Sequence, residues 1–286
     1  MGRPVVVGTD GSACSSTAVS WAAREARLRG APLRVLYTAL RWEYHLPLVP
    51  QPASWGPAAE AAARHMLDEA VALAREAGQG VEVTSAVMDG AAQDALTLAS
   101  QDAQLLVVGH RGRGGLTGQL LGSVARHLAA CAACPVVIVR GEEPGGGGEV
   151  VAGVAGRPDD AAVLEFAFQE AMLRRGRLRA VHAWTHPALR GPGDMQPLVY
   201  DIDAVGEEEA RLLAETLAGW RRKYPDVDLI EDVVRAHPGE ALLSASRGAG
   251  LLVIGARSGL RAVFGLGGTA HAVIGHATVP VAVVRP

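Results

Sequence analysis

Lysine is almost absent from this chain. Lys223 stands alone among 27 basic residues, the others being arginine, and it lies in Trp220-Arg221-Arg222-Lys223-Tyr224 with no glycine loop beside it. A Walker A loop needs a lysine next to its glycines to reach the β- and γ-phosphates, so the P-loop NTPases are excluded. A Gly-x-Gly-x-x-Gly run directly after the first apolar segment is missing, and so is the Ser-Gly-Gly signature of ATP pyrophosphatases. Cysteine is scarce too. Cys14, Cys131 and Cys134 make no secreted disulfide framework. No apolar run approaches the roughly 20 residues of a membrane helix. Neither sign of charge is in excess, and a net charge of −3 supplies no basic face for a phosphate backbone, which argues against nucleic acid. The chain opens Met-Gly-Arg-Pro and runs straight into Val5-Val6-Val7, too short and too early for a signal-peptide core. Val6 stands where N-myristoylation wants Ser or Thr. The expectation is a cytoplasmic protein with no membrane partner.

What the sequence does have is a repeat. Val5-Val6-Val7-Gly8 recurs as Val150-Val151-Ala152-Gly153, and Leu105-Leu106-Val107-Val108-Gly109 as Leu251-Leu252-Val253-Ile254-Gly255. Pro135-Val136-Val137-Ile138-Val139-Arg140 recurs as Pro280-Val281-Ala282-Val283-Val284-Arg285. The offset is constant to within one residue, which marks a duplicated domain and not a short solenoid repeat. In 286 residues there is room for two domains of ordinary size. They are expected at 1–140 and 150–286, joined by a glycine-rich linker over 141–149.

Within the first copy, apolar runs at Val5–Val7, Leu33–Tyr37, Val81–Val87, Leu105–Val108 and Val136–Val139 read as strands buried on both faces. Helical patterns separate them. Ala18, Trp21 and Ala22 fall at i, i+3, i+4 before a stop at Gly30, and Ala58 to Ala77 carries Met66, Leu67, Ala70 and Leu73 on one face before Gly78. Strand and helix alternating five times predict an α/β fold, a parallel sheet flanked by helices in each copy. Ligands of such sheets gather beyond the carboxyl ends of the strands.

Two loops at those ends carry the chemistry. After the fourth strand come Gly109-His110-Arg111-Gly112, nine residues, then Gly122-Ser123 opening a helix. Glycine lets backbone approach a bulky anion, and a helix start offers free N–H groups and a positive dipole end. Ser123 can donate its hydroxyl or cap the helix. Gly8-Thr9-Asp10-Gly11-Ser12 follows the first strand, and an acid there can accept from a ribose hydroxyl or hold a divalent metal. Gly-2x-Gly-9x-Gly-Ser between a strand and a helix ending in Cys134-Pro135-Val136-Val137, together with Val-Gly-Thr-Asp-Gly-Ser, resembles the ATP-binding motif of the universal stress protein family. The likeness covers nearly the whole chain as two copies. It implies a Rossmann-like, adenine-nucleotide-binding fold with strand order 3-2-1-4-5 and ATP across the strand ends. On that resemblance Asp10 meets the ribose or a metal such as Mg2+, and Thr38 and Val87 border the adenine. Gly109, Arg111, Gly112, Gly122 and Ser123 surround the phosphates, with Gly8, Thr9, Val108 and Val124 completing the set. The resemblance also implies that the two repeats pair as a pseudo-dimer through Val136–Val139 and Val281–Val284; homodimerisation and a regulatory protein partner are left open beyond that.

The second copy departs from the first. Ala155 stands at the position of Asp10, and Gly255-Ala256-Arg257-Ser258 replaces Gly-His-Arg-Gly. The distal element Gly267-Gly268-Thr269 fits two registers, one with Gly268-Thr269 and one with Gly267-Gly268 opposite Gly122-Ser123. The first copy is therefore expected to bind, and the second to bind weakly or to serve as a structural partner. Cys131-x-x-Cys134 falls at a helix end, which removes the dipole that activates thioredoxin-like pairs, so buried structural thiols are expected. His271 and His276 are poorly spaced for a metal, Arg221-Arg222-Lys223 reads as a solvated helix face, and Trp42, Tyr44 and Trp55 read as part of a Pro-rich surface loop. No Ser/His/Asp set, carboxylate pair or metal cluster stands out to drive turnover. The reading is a stress or regulatory protein whose ATP-dependent output is conformational, with slow hydrolysis left open. An adenine-nucleotide hydrolase or transferase and a nucleotide-free scaffold are the alternatives.

Overall fold

A computed structural model describes residues 2–39, 56–112, 121–140, 148–185, 201–256 and 266–285. The chain divides into two compact units, Met1–Glu143 and Pro144–Pro286. The expected linker falls largely outside the described residues, as do Trp42, Tyr44 and Trp55.

Unit 1 runs β1 (Val5–Gly8), α1 (Ala13–Arg29), β2 (Leu33–Ala39), α2 (Pro57–Ala77), β3 (Val83–Asp89), α3 (Ala92–Ala99), β4 (Leu105–Gly109), α4 (Ser123–Cys131) and β5 (Val136–Val139). Its strands lie in the order β3-β2-β1-β4-β5, every pair parallel. β1 and β4 are central and almost wholly buried, which is why they read as unbroken apolar runs. The third strand begins two residues later than the sequence pattern suggests. The Val81 amide donates to the Gly78 carbonyl at 3.0 Å, closing a turn after α2 before the chain extends.

The helices are set by their ends. Ser12 caps α1, its Oγ accepting the Ser15 amide at 3.3 Å, and Gly30 closes it with φ +59. Pro57 opens α2, and Gly78 ends it against α1, where a Cβ would stand 2.6 Å from the Ala23 carbonyl oxygen. Along α1 the apolar face also buries a charged pair, Glu25 and Arg29, at 2.6 Å with side-chain exposures of 1% and 10%.

Unit 2 repeats this plan as β6 (Val150–Gly153), α5 (Asp160–Arg174), β7 (Leu178–Trp184), α6 (Ile202–Lys223), β8 (Leu229–Arg235), α7 (Pro238–Ala245), β9 (Leu251–Gly255), α8 (Gly268–His276) and β10 (Val281–Val284). Its strand order is β8-β7-β6-β9-β10, again parallel throughout. The buried ion pair recurs 145 positions on as Glu170 and Arg174 on α5. Where unit 1 ends its first helix on Gly30, unit 2 uses Arg175, the one described non-glycine residue with positive φ, at +49.

Candidate functional site

At the carboxyl ends of the unit 1 strands a cavity of about 320 Å3 opens between the two loops singled out in the sequence. The β1–α1 loop forms one wall. Thr9 is buried, and its Oγ1 lies 3.2 Å from the Ser15 hydroxyl, which itself donates to the Ser12 carbonyl at 2.9 Å. Asp10 folds back on this loop, Oδ1 accepting the Ser12 amide at 3.0 Å. Its Oδ2 packs on the glycine loop opposite, 2.3 Å from where a Gly112 Cβ would stand. The two walls therefore touch through a carboxylate and a glycine.

The other wall is the end of β4 and the start of α4. Gly109 brings β4 against α1, where a Cβ would lie 2.8 Å from the Cys14 carbonyl oxygen. The Gly122 amide donates to the His110 carbonyl at 2.8 Å, which ties the end of β4 to the start of α4. α4 then begins with no side-chain cap, and Gly122, Ser123, Val124 and Ala125 all line the cavity. An uncapped helix start presents unshared N–H groups and the positive end of the helix dipole to whatever fills the space. Gly122 has φ −69 and ψ 154, and a Cβ there would meet its nearest neighbour at 3.4 Å. Neither conformation nor packing obliges this residue to be glycine.

Positive charge gathers beside this wall. Burial, and then Arg140 and Arg111, hold the His110 imidazole below its ordinary pKa, against a smaller opposing pull from the Val139 backbone. Burial and Arg111 likewise depress Arg140. The apolar floor is Leu36, Val108 and two residues of α3, Ala92 and Leu96. Leu96 leans over Gly8, whose Cβ would meet it at 2.9 Å.

Eleven of the twelve residues expected at the site line this one cavity. Val87 is the exception: it pairs with Tyr37 in β3 and does not reach the lining. Tyr37 and Thr38 border the space at the β2 end instead. Sequence reading missed Ser15 and the α3 contribution. The i, i+4 spacing of Ala92 and Leu96 was the available signal, and it marks one helix face without saying which cavity that face lines.

Unit 2 treats the same loops differently. α4 and α8 are each nine residues long with N-caps Gly122 and Gly267. This settles the register: Gly267-Gly268 stands opposite Gly122-Ser123, and the serine hydroxyl is lost. Asp160 occupies the place of Ser15, and its Oδ2 accepts the Ala155 and Arg157 amides, both at 2.9 Å. His182, in the place of Tyr37, is buried with Nδ1 2.9 Å from the Val154 carbonyl and Nε2 2.8 Å from Glu209 of α6. Leu212 of the same helix sits where a Gly156 Cβ would be, at 2.7 Å. Here the loop's polar groups are engaged by the protein's own side chains. The neighbouring motifs are structural or solvated. Cys134 is buried, which pushes its thiol up to about 11, but Cys131 is exposed, so the expectation of two buried thiols holds for one of them. Arg221, Arg222 and Lys223 are exposed, two of them paired with Glu231 and Glu165.

The family model described as the universal stress protein family matches residues 1–140 and again 148–285. A universal stress protein of Mycobacterium tuberculosis strain H37Rv is 35% identical over 291 residues, spanning 98% of this chain and 96% of that protein. One from Mycolicibacterium smegmatis is 35% identical over 290 residues, spanning 99% and 97%. The crystal structure of a universal stress protein from Archaeoglobus fulgidus superposes with a TM-score of 0.71 at 19% identity, over 99% of this chain and 97% of that one, a likeness of fold. Among the described residues no helix is long and apolar enough to cross a membrane. With two parallel α/β units matched end to end, the chain belongs to the universal stress protein family.

Proposed function

We propose that residues 1–140 bind an adenine nucleotide, ATP, in the cavity between Asp10 and the start of α4, and that the protein acts in a stress response through nucleotide-dependent conformation. One observation carries this reading: a glycine that the fold does not require stands at an uncapped helix start, facing a buried-edge carboxylate across a cavity of nucleotide-binding size. The phosphates belong at Gly122, Ser123 and Val124, the ribose at Asp10, and the base toward Tyr37, Thr38 and Leu96. Asp10 is a single carboxylate with one oxygen committed to Ser12. It fits Mg2+ only where nucleotide phosphates and water complete the shell, as Mg2+ usually demands. Slow hydrolysis belongs to this reading, and fast turnover does not. Unit 2 serves as a structural partner or a weak second site. Pairing of the repeats, homodimer formation and a cytoplasmic location come into the proposal from the family resemblance.

Denaturing the purified protein and identifying what it releases by mass spectrometry tests the reading. About one ATP per chain is expected from a site confined to unit 1. About two would overturn the assignment of unit 2. No release, with no uptake of added ATP by calorimetry, would overturn nucleotide binding and favour the scaffold. Steady-state phosphate release abolished by Asp10→Ala would move the protein to the hydrolases.

A further inference from the structure

We propose that unit 2 carries a proton-dependent latch, in which His182 of β7 and Glu209 of α6 hold that helix beside the β6–α5 loop only while the pair keeps a shared proton. His182 is buried, with Nδ1 2.9 Å from the Val154 carbonyl and Nε2 2.8 Å from Glu209 Oε2. A carbonyl oxygen only accepts, so Nδ1 carries a hydrogen and donates it. The other ring nitrogen then faces a carboxylate. A neutral imidazole would set its Nε2 lone pair against an anion at 2.8 Å, with no hydrogen between them. The contact becomes a hydrogen bond only when one more proton is present, on Nε2 or on Glu209. Either placement gives the same proton count. With it, one ring ties α6 at Glu209 to the loop at Val154.

The charged groups on the elements around β7 are committed elsewhere or turned to solvent. Asp160 of α5 accepts the Ala155 and Arg157 amides, and Glu170 of α5 is paired with Arg174. On β8, Glu231 is held by Arg221, Asp232 by Arg179, and Arg235 lies over Trp184. Arg157, Asp159, Glu207 and Glu208, with His237 and Glu240 at the start of α7, are exposed. Unit 1 has Tyr37 in the place of His182, and Ala63 in the place of Glu209 when α2 and α6 are aligned from their ends at Gly78 and Tyr224. The fold therefore stands without the pair, which belongs to unit 2 alone. Above the ordinary imidazole value of about 6.5 an unfolded chain has released this proton while the folded pair retains it. Stability then falls as the pH rises. The latch is closed near pH ~6 and loosens above it. Glu209 and Leu212 share one face of α6, so release also frees the leucine that fills the space at Gly156. The device is independent of the nucleotide reading of unit 1.

Hydrogen exchange of the full-length chain, read by mass spectrometry at about pH 6 and about pH 8, tests the latch. Rates are first corrected for the chemical dependence of amide exchange on pH. Protection of residues 154–157 and 205–212 is expected to fall about tenfold at the higher pH. Residues 60–67 of α2 are expected to keep theirs, as the internal control. Glu209→Gln decides the mechanism. Its carboxamide can donate to a neutral Nε2, so the contact no longer needs the proton, and protection is expected to stay level across the same range. Unchanged protection in the parent overturns the proposal, as does an equal loss in both units. The same fall in Glu209→Gln as in the parent overturns it too. If that variant leaves unit 2 unprotected at both values, His182→Tyr combined with Glu209→Ala, the pair found in unit 1, takes its place. Level protection is expected there, and a fall that survives the exchange overturns the latch.

Discussion

Gly122 and Gly112 respond differently to the same added methyl group. At Gly122 the backbone is ordinary and the nearest neighbour of a Cβ stands at 3.4 Å, so Gly122→Ala is expected to fold within about 0.5 kcal/mol of the parent in urea titrations. In calorimetry it is expected to weaken ATP binding by about tenfold, because the methyl would occupy the space that the proposed site gives to phosphate. At Gly112 the Cβ enters the Asp10 carboxylate, so Gly112→Ala loses stability as well as binding. Loss of stability at Gly122 with unchanged binding would reverse these roles. Arg175 offers a comparison far from the site. It holds φ +49 where unit 1 has Gly30 at +59, and a side chain in the left-handed region costs about 1 kcal/mol or more. Arg175→Gly is expected to raise the unfolding free energy by about 1 kcal/mol. Gly30→Arg, measured alongside it, is expected to lower it by a similar amount.

At the scale of elements, α1 and α5 each bury a carboxylate with an arginine one turn on. Glu25→Ala and Glu170→Ala each remove the counter-charge of a buried guanidinium and are expected to cost up to about 3 kcal/mol in denaturant unfolding, with Gln in place of Glu costing less. No sequence pattern announced these pairs, since charged residues in a helix are ordinarily read as its wet face. The strands were legible for the opposite reason. A central parallel strand has no solvent face, so Val5–Val7 and Leu105–Val108 are apolar at every position. β3 sits further out, with Thr84 and Ser85 exposed, and both of its ends were misread by two residues. The α5–α6 contact adds a pH dependence. Hydrogen bonds from Lys223 and then Tyr224 hold Glu165 below its ordinary value, against burial. A depressed carboxylate contributes stability above its unfolded pKa of about 4.3 and loses it as pH falls through the folded value. Lys223→Met is therefore expected to destabilise the chain at neutral pH, and the difference from the parent to shrink on acidification. A difference that persists in acid would assign the effect to packing on Trp220 and Tyr224.

Across the whole molecule, the repeat declared two units and the glycine spacing declared where in the first one to look. The sequence did not show what fills the second. Ala155 advertised a missing acid, but Asp160 is five residues away in a turn, and its reach back to the Ala155 amide is a matter of folding. His182 and Glu209 are joined only because α6 crosses above β7. Added ATP is expected to slow hydrogen exchange at residues 8–12 and 121–125, with no matching protection at 153–157. Protection in both units would contradict the division of labour. At about a hundred times the dissociation constant, ligand adds about 2.7 kcal/mol to the unit that binds it. The Asp160 carboxylate also makes position 155 depend on position 160. Restoring an acid by Ala155→Asp would set a second negative charge beside the first, with the loop amides already taken. Neither Ala155→Asp nor Asp160→Ser alone rebuilds the arrangement of Asp10 and Ser15, so the two positions are interlocked: the unit 1 loop is reached in unit 2 only by changing both together.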